Sequence, residues 1–305
     1  MIRRLLVPLD GSTFGEHALP QAIALARRHD ATLDLAHVHE VASLVYMEGV
    51  PLIDASVELE GMEHDRGYLD GLLERVVALG VKATATLLDG PTVSALEAHV
   101  EALHADLIVM TTHGRGPLSR AWLGSVADGL ARHTSRPVLL IRPADGADAI
   151  DAPRPDPAAA PPPLRRVLVP LDPSRESESV IEHALAVADA GASLLLLHVA
   201  PPAVVVGGHV FPVDPARQRD MIDAAYSSME DTANGLRARG VDAVLEVVVS
   251  RDVATSILEA ALRESIDLIA LTKHGRGELS RLVFGSVTDK VLRGASLPVL
   301  IRRPG

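Results

Sequence analysis

Length, charge and cysteine content exclude several classes of protein. The chain of 305 residues is long enough for two domains of ordinary size, and its 48% hydrophobic and 23% charged residues are typical of a soluble globular protein. A formal net charge of -11 makes nucleic acid and anionic membranes poor partners, while the absence of cysteine excludes disulfides, thiol catalysis and cysteine metal sites and fits a reducing cytoplasm.

The first half of the chain predicts an alternation of strands and helices. A buried strand at 3–9 ends at Asp10, and Ser12 or Thr13 can cap the helix that follows. Apolar residues, most of them small, recur in that helix at helical spacing, at Ala18, Ala22, Ile23 and Ala26. The later predicted elements are, in order, a strand at 32–39, a loop at 40–53, a helix at about 54–79, a strand at 81–88, a helix at about 91–104, a strand at 107–110, a helix at 124–133 and a strand at 137–141. This alternation favours a parallel sheet with helices on both faces.

The segment 144–163 separates two copies of this pattern. It is rich in Ala, Asp and Pro, and we interpret it as a linker that acts as a disordered spacer. Beyond it the order repeats at an offset of about 161 residues, so that 167–172 corresponds to 5–10. The sequence therefore predicts two domains of one α/β fold, at 1–143 and 164–305.

The stretch 106–125 and its repeat 267–286 carry the strongest functional signal. Each copy has a short apolar run that predicts a buried parallel strand, then a glycine loop, then a Gly-Ser pair that begins a helix. Glycines let the backbone approach a ligand, and the N–H groups of a helix start favour an anion such as phosphate. Neither copy is a P-loop, because the lysine is missing, and neither is a GxGxxG fingerprint, because Ser119 and Ser280 occupy the place of the third glycine.

The glycine spacing resembles that of the universal stress protein family, whose ATP-binding members carry Gly, two residues, Gly, nine residues and then Gly-Ser or Gly-Thr. The stretches 114–125 and 275–286 match the long spacing, and Thr111 and Thr272 replace the first glycine. The resemblance covers nearly the whole chain as two tandem domains. It implies two Rossmann-like (adenine nucleotide alpha hydrolase-like) domains, each with a five-stranded parallel sheet of order 3-2-1-4-5 flanked by helices.

The resemblance also implies a site for ATP and a divalent cation, Mg2+ or Mn2+, in each domain. Asp10 and Asp172 are the expected contacts for ribose or the metal. The residues expected to contact the nucleotide in the first domain are Pro8, Leu9, Asp10, Val38, Gly114, Arg115, Gly116, Gly124, Ser125 and Val126. Their counterparts in the second domain are Pro170, Leu171, Asp172, Val199, Gly275, Arg276, Gly277, Gly285, Ser286 and Val287.

Each part of this proposed site also has a purely structural interpretation. The glycine loop could be a simple turn from strand to helix, and Ser125 could be an ordinary N-cap. Asp10 and Asp172 could cap the neighbouring helices. The sequence alone leaves these alternatives open.

The histidines do not indicate a catalytic or zinc site. His37 and His39 face one side of a predicted strand, but Ala200 replaces His39 in the second copy and no further ligand stands at zinc-binding spacing in both copies. His113 and His274 lie beside the glycine loops without a paired nucleophile, so we expect them to hydrogen-bond the loop rather than catalyse.

The leading hypothesis is a nucleotide-responsive stress or signalling module, with no catalytic residue identified. One alternative is a slow ATPase or nucleotidyl-transfer enzyme that uses the same pocket. Another is a non-nucleotide interaction protein in which Thr111 and Thr272 close the pocket.

Association of the domains is also expected from the sequence. The last predicted strands, 137–141 and 298–301, are apolar edge candidates, and an exposed edge of this kind recruits a partner. The resemblance implies that the two domains pair through these strands within the chain and that two chains form a homodimer.

Overall fold

The chain forms two compact units, Met1–Pro161 and Pro162–Gly305, which we call the first unit and the second unit. The boundary falls within the predicted linker. The computed structural model describes residues 1–39, 45–47, 50–52, 55–112, 123–143, 154–172, 174–206, 209–212, 214–273 and 285–303.

The described part of the first unit alternates strands and helices as the sequence predicts. A short 3-10 helix at Gly15–Ala18 precedes its first α-helix. The remaining elements are β1 Arg4–Leu9, α1 Leu19–His29, β2 Thr32–His39, β3 Val45–Met47, β4 Val50–Leu52, α2 Ala55–Ala78, β5 Ala83–Asp89, α3 Thr92–Leu103, β6 Leu107–Thr111, α4 Ser125–His133 and β7 Val138–Ile141.

The second unit repeats this order. One difference is that two short helices, α5 and α6, replace the 3-10 turn and α1. The elements are β8 Arg166–Pro170, α5 Arg175–Glu178, α6 Ile181–Val187, β9 Ser193–Ala200, β10 Ala203–Val206, β11 His209–Pro212, α7 Pro215–Ala238, β12 Asp242–Val249, α8 Val253–Arg263, β13 Leu268–Thr272, α9 Ser286–Gly294 and β14 Val299–Arg302.

Among the described residues, each unit contains a sheet of five parallel strands. The strand order is β5-β2-β1-β6-β7 in the first unit and β12-β9-β8-β13-β14 in the second. Numbered within each unit and leaving out the short hairpins, both orders are 3-2-1-4-5, which confirms the predicted fold. The central strand β1 pairs with β2 on one side and with β6 on the other.

The apolar runs of the sequence become the buried centre of each sheet. Every residue of β6 and β13 is buried, and so is β1 from Leu5 to Leu9. Strands covered by helices on both faces must be apolar on both faces, which is why these runs do not alternate. Ala22 and Ala26 of α1 are buried as well, and their small side chains allow this helix to pack closely on the sheet.

Two details of the first unit differ from the prediction. The segment predicted as a loop at 40–53 contains an antiparallel hairpin, in which Val45 pairs with Leu52. Strands of three residues are too short to give a periodic signal, so the hairpin could not be read from the sequence. The helix after β1 is also delayed: the 3-10 turn comes first, and α1 begins at Leu19 with Pro20 in its first turn.

The length and hydropathy of the helices indicate whether any of them could cross a membrane. Within the described residues, no helix combines the length and apolar character needed to cross a membrane.

A glycine pair tests how closely the helices pack. A methyl group added at Gly129 of α4 would lie 2.7 Å from Cγ2 of Val93, whereas one added at Gly67 of α2 would meet nothing within 4 Å. We expect Gly129→Ala to lower the free energy of unfolding by about 1 kcal/mol, because overpacking outweighs the gain in helix propensity. Gly67→Ala should raise it by about 0.5–1 kcal/mol. Urea denaturation followed by circular dichroism measures both, and equal stabilisation by the two variants would contradict the packing.

Candidate functional site

The candidate site lies at the carboxyl ends of the strands, where the strand order reverses beside β1 and β8. In open parallel sheets this reversal opens a crevice that binds ligands. In the first unit Asp10 follows β1, and the backbone N–H of Gly124 donates to the carbonyl of Thr112 just beyond β6 (2.7 Å). The hydrogen bond fixes the start of α4 to the end of β6.

The helix starts at this edge are formed by glycine in both units. Gly124 is the N-cap of α4 and Gly285 is the N-cap of α9, with nearly the same backbone angles (φ -59°, ψ 151° and φ -58°, ψ 148°). Ser125 and Ser286 are the first helical residues, so the interpretation of Ser125 as an N-cap is wrong. A glycine N-cap has no side chain to accept hydrogen bonds from the first turn, which leaves this role to other groups, including an anionic ligand.

Asp10 and Asp172 order the turns that follow the central strands. Oδ1 of Asp10 accepts hydrogen bonds from the backbone N–H (3.0 Å) and the hydroxyl (2.6 Å) of Ser12, and the Ser12 Oγ accepts the N–H of Gly15 (3.1 Å). Asp172 makes the same two contacts with Ser174. The serine therefore caps the turn, and the aspartate holds the serine in place at the rim of the crevice.

A histidine on the second strand joins that strand to the central strand in both units. Nδ1 of His37 lies 2.8 Å from the carbonyl oxygen of Leu9, and Nδ1 of His198 lies 2.9 Å from that of Leu171. Because a carbonyl oxygen only accepts, Nδ1 carries the proton. The contact fixes the backbone directly before Asp10 and Asp172.

Metal ligands are sparse in this region. Among the described residues, no group of three or more His, Asp or Glu side chains is arranged to hold a metal ion. A cation at Asp10 or Asp172 would take its other ligands from a bound phosphate and from water.

The residues at the ends of β6 and β13 are buried. Thr111 and Thr272 replace the family's first glycine, and the hydroxyl of Thr272 donates to the carbonyl of Ser177 (3.1 Å), so this hydroxyl is used within the unit. The next position is Thr112 in the first unit and Lys273 in the second, where only 3% of the residue is exposed. Sequence reasoning missed Lys273, although a lysine that directly follows an apolar strand and precedes a glycine loop is a detectable signal.

A cavity of about 610 Å³ lies beside Asp10 in the first unit, lined by Gly11, Glu16, Glu63, His64, Gly67, Tyr68, Gly71, Leu72, Arg75 and Arg154. Glu16 is fully buried, and its carboxylate lies 3.2 Å from Nη1 of Arg75 and 3.2 Å from Nε of Arg154. Burial raises the pKa of the Tyr68 hydroxyl, and the charges of Glu16 and Asp10 raise it further.

Arg154 belongs to the segment predicted as a disordered spacer. In addition to the Arg154–Glu16 pair, Nη2 of Arg75 donates to the carbonyl of Pro155 (3.3 Å). The interpretation of the whole segment as a spacer is therefore wrong for these residues, which contact the first unit. The prediction missed these contacts because the composition of the segment does not show that Glu16, a buried carboxylate elsewhere in the chain, requires a cation.

Several predicted site residues lie outside the described part of the chain. These are the residues of both glycine loops, Gly114, Arg115, Gly116, Gly275, Arg276 and Gly277, and the adjacent His113 and His274. The structure brings the other predicted residues to the carboxyl ends of the strands, at Pro8, Leu9, Asp10, Val38, Gly124, Ser125 and Val126, and at Pro170, Leu171, Asp172, Val199, Gly285, Ser286 and Val287.

Comparison with known proteins matches both units to one family. The model of the universal stress protein family matches residues 1–142 and 163–303. A universal stress protein of Mycolicibacterium smegmatis is 28% identical over 98% of this chain and 97% of its own length. One from Mycobacterium tuberculosis H37Rv is 32% identical over 65% of this chain and 62% of its own length.

Solved structures show a similar fold. A universal stress protein from Archaeoglobus fulgidus aligns with a TM-score of 0.67 at 20% identity and covers 99% of this chain and 96% of its own. A Pseudomonas aeruginosa protein described as a putative universal stress protein has the same TM-score at 19% identity and covers 99% and 94%. At these identities the likeness concerns the fold alone.

The pair between Arg154 and Glu16 predicts a measurable effect on stability. Removing Arg154 leaves one oxygen of a fully buried carboxylate without its cation, while Arg75 still neutralises the other. Because about half of the Arg154 side chain is exposed, we expect Arg154→Ala to lower the free energy of unfolding by only about 1 kcal/mol. Arg3→Ala removes another exposed arginine and serves as the matched control in the same urea titration. Equal urea midpoints for Arg154→Ala and Arg3→Ala would show that the pair between Arg154 and Glu16 does not stabilise the fold.

Proposed function

Since this chain belongs to the universal stress protein family, we propose that it binds ATP with a divalent cation in each unit and acts as a nucleotide-responsive stress or signalling module. One observation carries the proposal. In both units a helix with a glycine N-cap follows the fourth strand, at the carboxyl edge of the sheet where an aspartate follows the first strand. A repeated anion-binding helix start beside a carboxylate suits a nucleotide and its metal.

The described residues fit a nucleotide in their chemistry. Leu9 and Val38 are buried apolar residues at the ends of β1 and β2, where an adenine ring would meet the backbone of Val38. Asp10 is partly exposed at the same edge and would accept hydrogen bonds from the ribose or bind the metal. The N–H groups at the start of α4 would hold the terminal phosphates, and Gly114, Arg115 and Gly116, which the resemblance also assigns to the phosphates, lie outside the described residues.

The second unit offers the same set of residues with one addition. Leu171, Asp172 and Gly285 occupy the corresponding places, and a buried lysine, Lys273, directly follows β13. A lysine is a strong partner for phosphate oxygens. The two sites are therefore expected to differ in how they hold the phosphates.

The proposal is tested by calorimetry of ATP with Mg2+ on the full chain. We expect binding to the unchanged protein and its loss in the Gly114→Val, Gly275→Val double variant, because a branched side chain blocks the approach of the backbone to phosphate. Each single variant should retain one site. Analysis of nucleotide released from denatured, freshly purified protein adds a second measurement.

Gly235→Val is the matched control. A side chain added at Gly235 on α7 meets nothing within 4 Å, so this variant makes the same chemical change away from the strand ends. It should bind ATP as the unchanged protein does. Binding that persists in the double variant would refute the proposed phosphate loops, whereas absence of binding to the unchanged protein would favour a role without nucleotide.

The association of the units stays a prediction from the sequence. We expect pairing of the two units through their last strands and assembly of two chains into a dimer, since an apolar edge strand recruits a partner. Small-angle scattering combined with analytical ultracentrifugation of the full chain tests both. Two independently tumbling domains in a monomer would contradict the prediction.

A further inference from the structure

His39 is the last residue of β2, and only 5% of it is exposed. Its Nδ1 lies 2.7 Å from Oδ2 of Asp65, and its Nε2 lies 3.0 Å from Oε1 of Glu58. Both carboxylates belong to α2. One imidazole ring therefore ties the end of β2 to the first half of this helix.

The two contacts determine the charge of the ring. A neutral imidazole has a single N–H, so one of its nitrogens would direct a lone pair at a carboxylate oxygen that cannot donate when ionised. Only the imidazolium donates to both carboxylates. The hydrogen bond with Asp65 accordingly raises the pKa of His39 most, and Glu58 raises it further, while burial opposes them.

Other ionisable groups surround this contact. On β2, Nε2 of His37 lies 3.4 Å from the same oxygen of Asp65, and the ring of His37 meets Tyr68 of α2 edge to face. On β5, Asp89 is the register partner of His39 and is exposed. These groups add further negative charge near His39 and no fixed positive charge.

A glycine permits the close approach of the helix. A methyl group added at Gly61 of α2 would lie 3.2 Å from Cε1 of His39, which is tighter than ordinary van der Waals contact. The helix therefore packs against the imidazole at a position without a side chain. We call the set of His39, Asp65 and Glu58 the histidine clamp.

The clamp adjoins the expected adenine contact. Val38 lies between His37, which is bound to the carbonyl of Leu9, and His39, which is bound to α2. We propose that the protonated histidine clamp holds Val38 in place for nucleotide binding by the first unit, and that loss of the His39 proton as the pH rises weakens this binding. The inference rests on the proposed function and concerns the regulation of that site.

The second unit lacks the clamp and provides an internal control. Ala200 replaces His39 at the end of β9, and α7 carries Gln218 and Ala225 at the positions of Glu58 and Asp65. The histidine that contacts the central strand, His198, is retained. A pH response that arises from the clamp must therefore be confined to the first unit.

The direction of the pH response follows from the raised pKa. A group whose pKa is higher in the folded protein than the unfolded value of about 6.5 stabilises the fold fully below that value. This contribution to stability is lost as the pH rises through the pKa that the group has in the folded protein. The clamp is therefore closed near and below the unfolded value of about 6.5, while its carboxylates are ionised, and opens as the pH rises through the raised pKa of His39.

Calorimetry of ATP binding from about pH 6 to 9 tests the regulation. In a Gly275→Val full chain, which leaves the first site, we expect affinity to fall on the order of fivefold as His39 deprotonates. In the same chain, His39→Gln should give the weaker, high-pH affinity for ATP at every pH tested. The reciprocal Gly114→Val chain leaves only the second site and controls for titration of the nucleotide itself. Its affinity for ATP should not show this fall.

His99→Gln is the matched histidine control. His99 of α3 also contacts a carboxylate, with 2.8 Å between its Nε2 and Oδ1 of Asp34, but it does not flank Val38. This variant should still show the fall in the ATP affinity of the first unit as the pH rises. The proposal would be overturned if the fall in affinity disappeared in both histidine variants, or if it survived in His39→Gln.

Nuclear magnetic resonance tests the clamp without nucleotide. Both ring nitrogens of His39, assigned by comparison with His39→Gln, should be protonated at about pH 6, and Asp65→Asn should lower the titration midpoint. Hydrogen exchange at the first half of α2 should quicken above that midpoint. A midpoint at or below about 6.5 would overturn the clamp. If neither unit binds ATP at any pH, the proposed function and its regulation both fail, whereas a raised midpoint would show that the clamp itself exists.

Discussion

The central position of β1 is the constraint on which the rest of each unit depends. Leu5 pairs with Leu33 of β2 on one side and with Leu107 of β6 on the other, and β8 is flanked in the same way in the second unit. Because the neighbours of this strand are reached by crossovers in opposite directions, the loops at its carboxyl end diverge and leave a crevice. An aspartate that follows the strand and a helix that begins after the fourth strand must then meet at one edge of the sheet.

The two units share this frame but differ in their buried polar groups. In the first unit Asp34 is buried and accepts hydrogen bonds from Thr84 and Thr86 as well as contacting His99, whereas Leu195 occupies the position of Asp34 in the second unit. The histidine clamp and the buried Glu16 with its two arginines likewise belong to the first unit. Buried polar groups that are fully paired fix a single arrangement of the elements they join. Among the described residues, the histidine–carboxylate contacts all lie in the first unit.

Much of the fold could be predicted because its signals are local. The apolar runs at β1, β6 and β13 indicate buried strands, Pro91 and Gly80 mark helix ends, and the duplicated order gives the strand arrangement through the family resemblance. The short hairpins and the 3-10 turn before α1 could not be predicted in this way. Three or four residues carry too little periodicity to identify an element, and their conformation depends on what they pack against.

The sequence by itself determined that this protein has two α/β units of one family and which residues end the strands of each. Repeats, glycine spacing and apolar runs are properties of neighbouring residues, so no contact is needed to detect them. Only the tertiary structure decided that Arg154 contacts Glu16 and that His39 lies between Asp65 and Glu58. These partners are separated by between 19 and 138 residues along the chain, and the charge of a buried group is set by what folding brings within hydrogen-bonding distance.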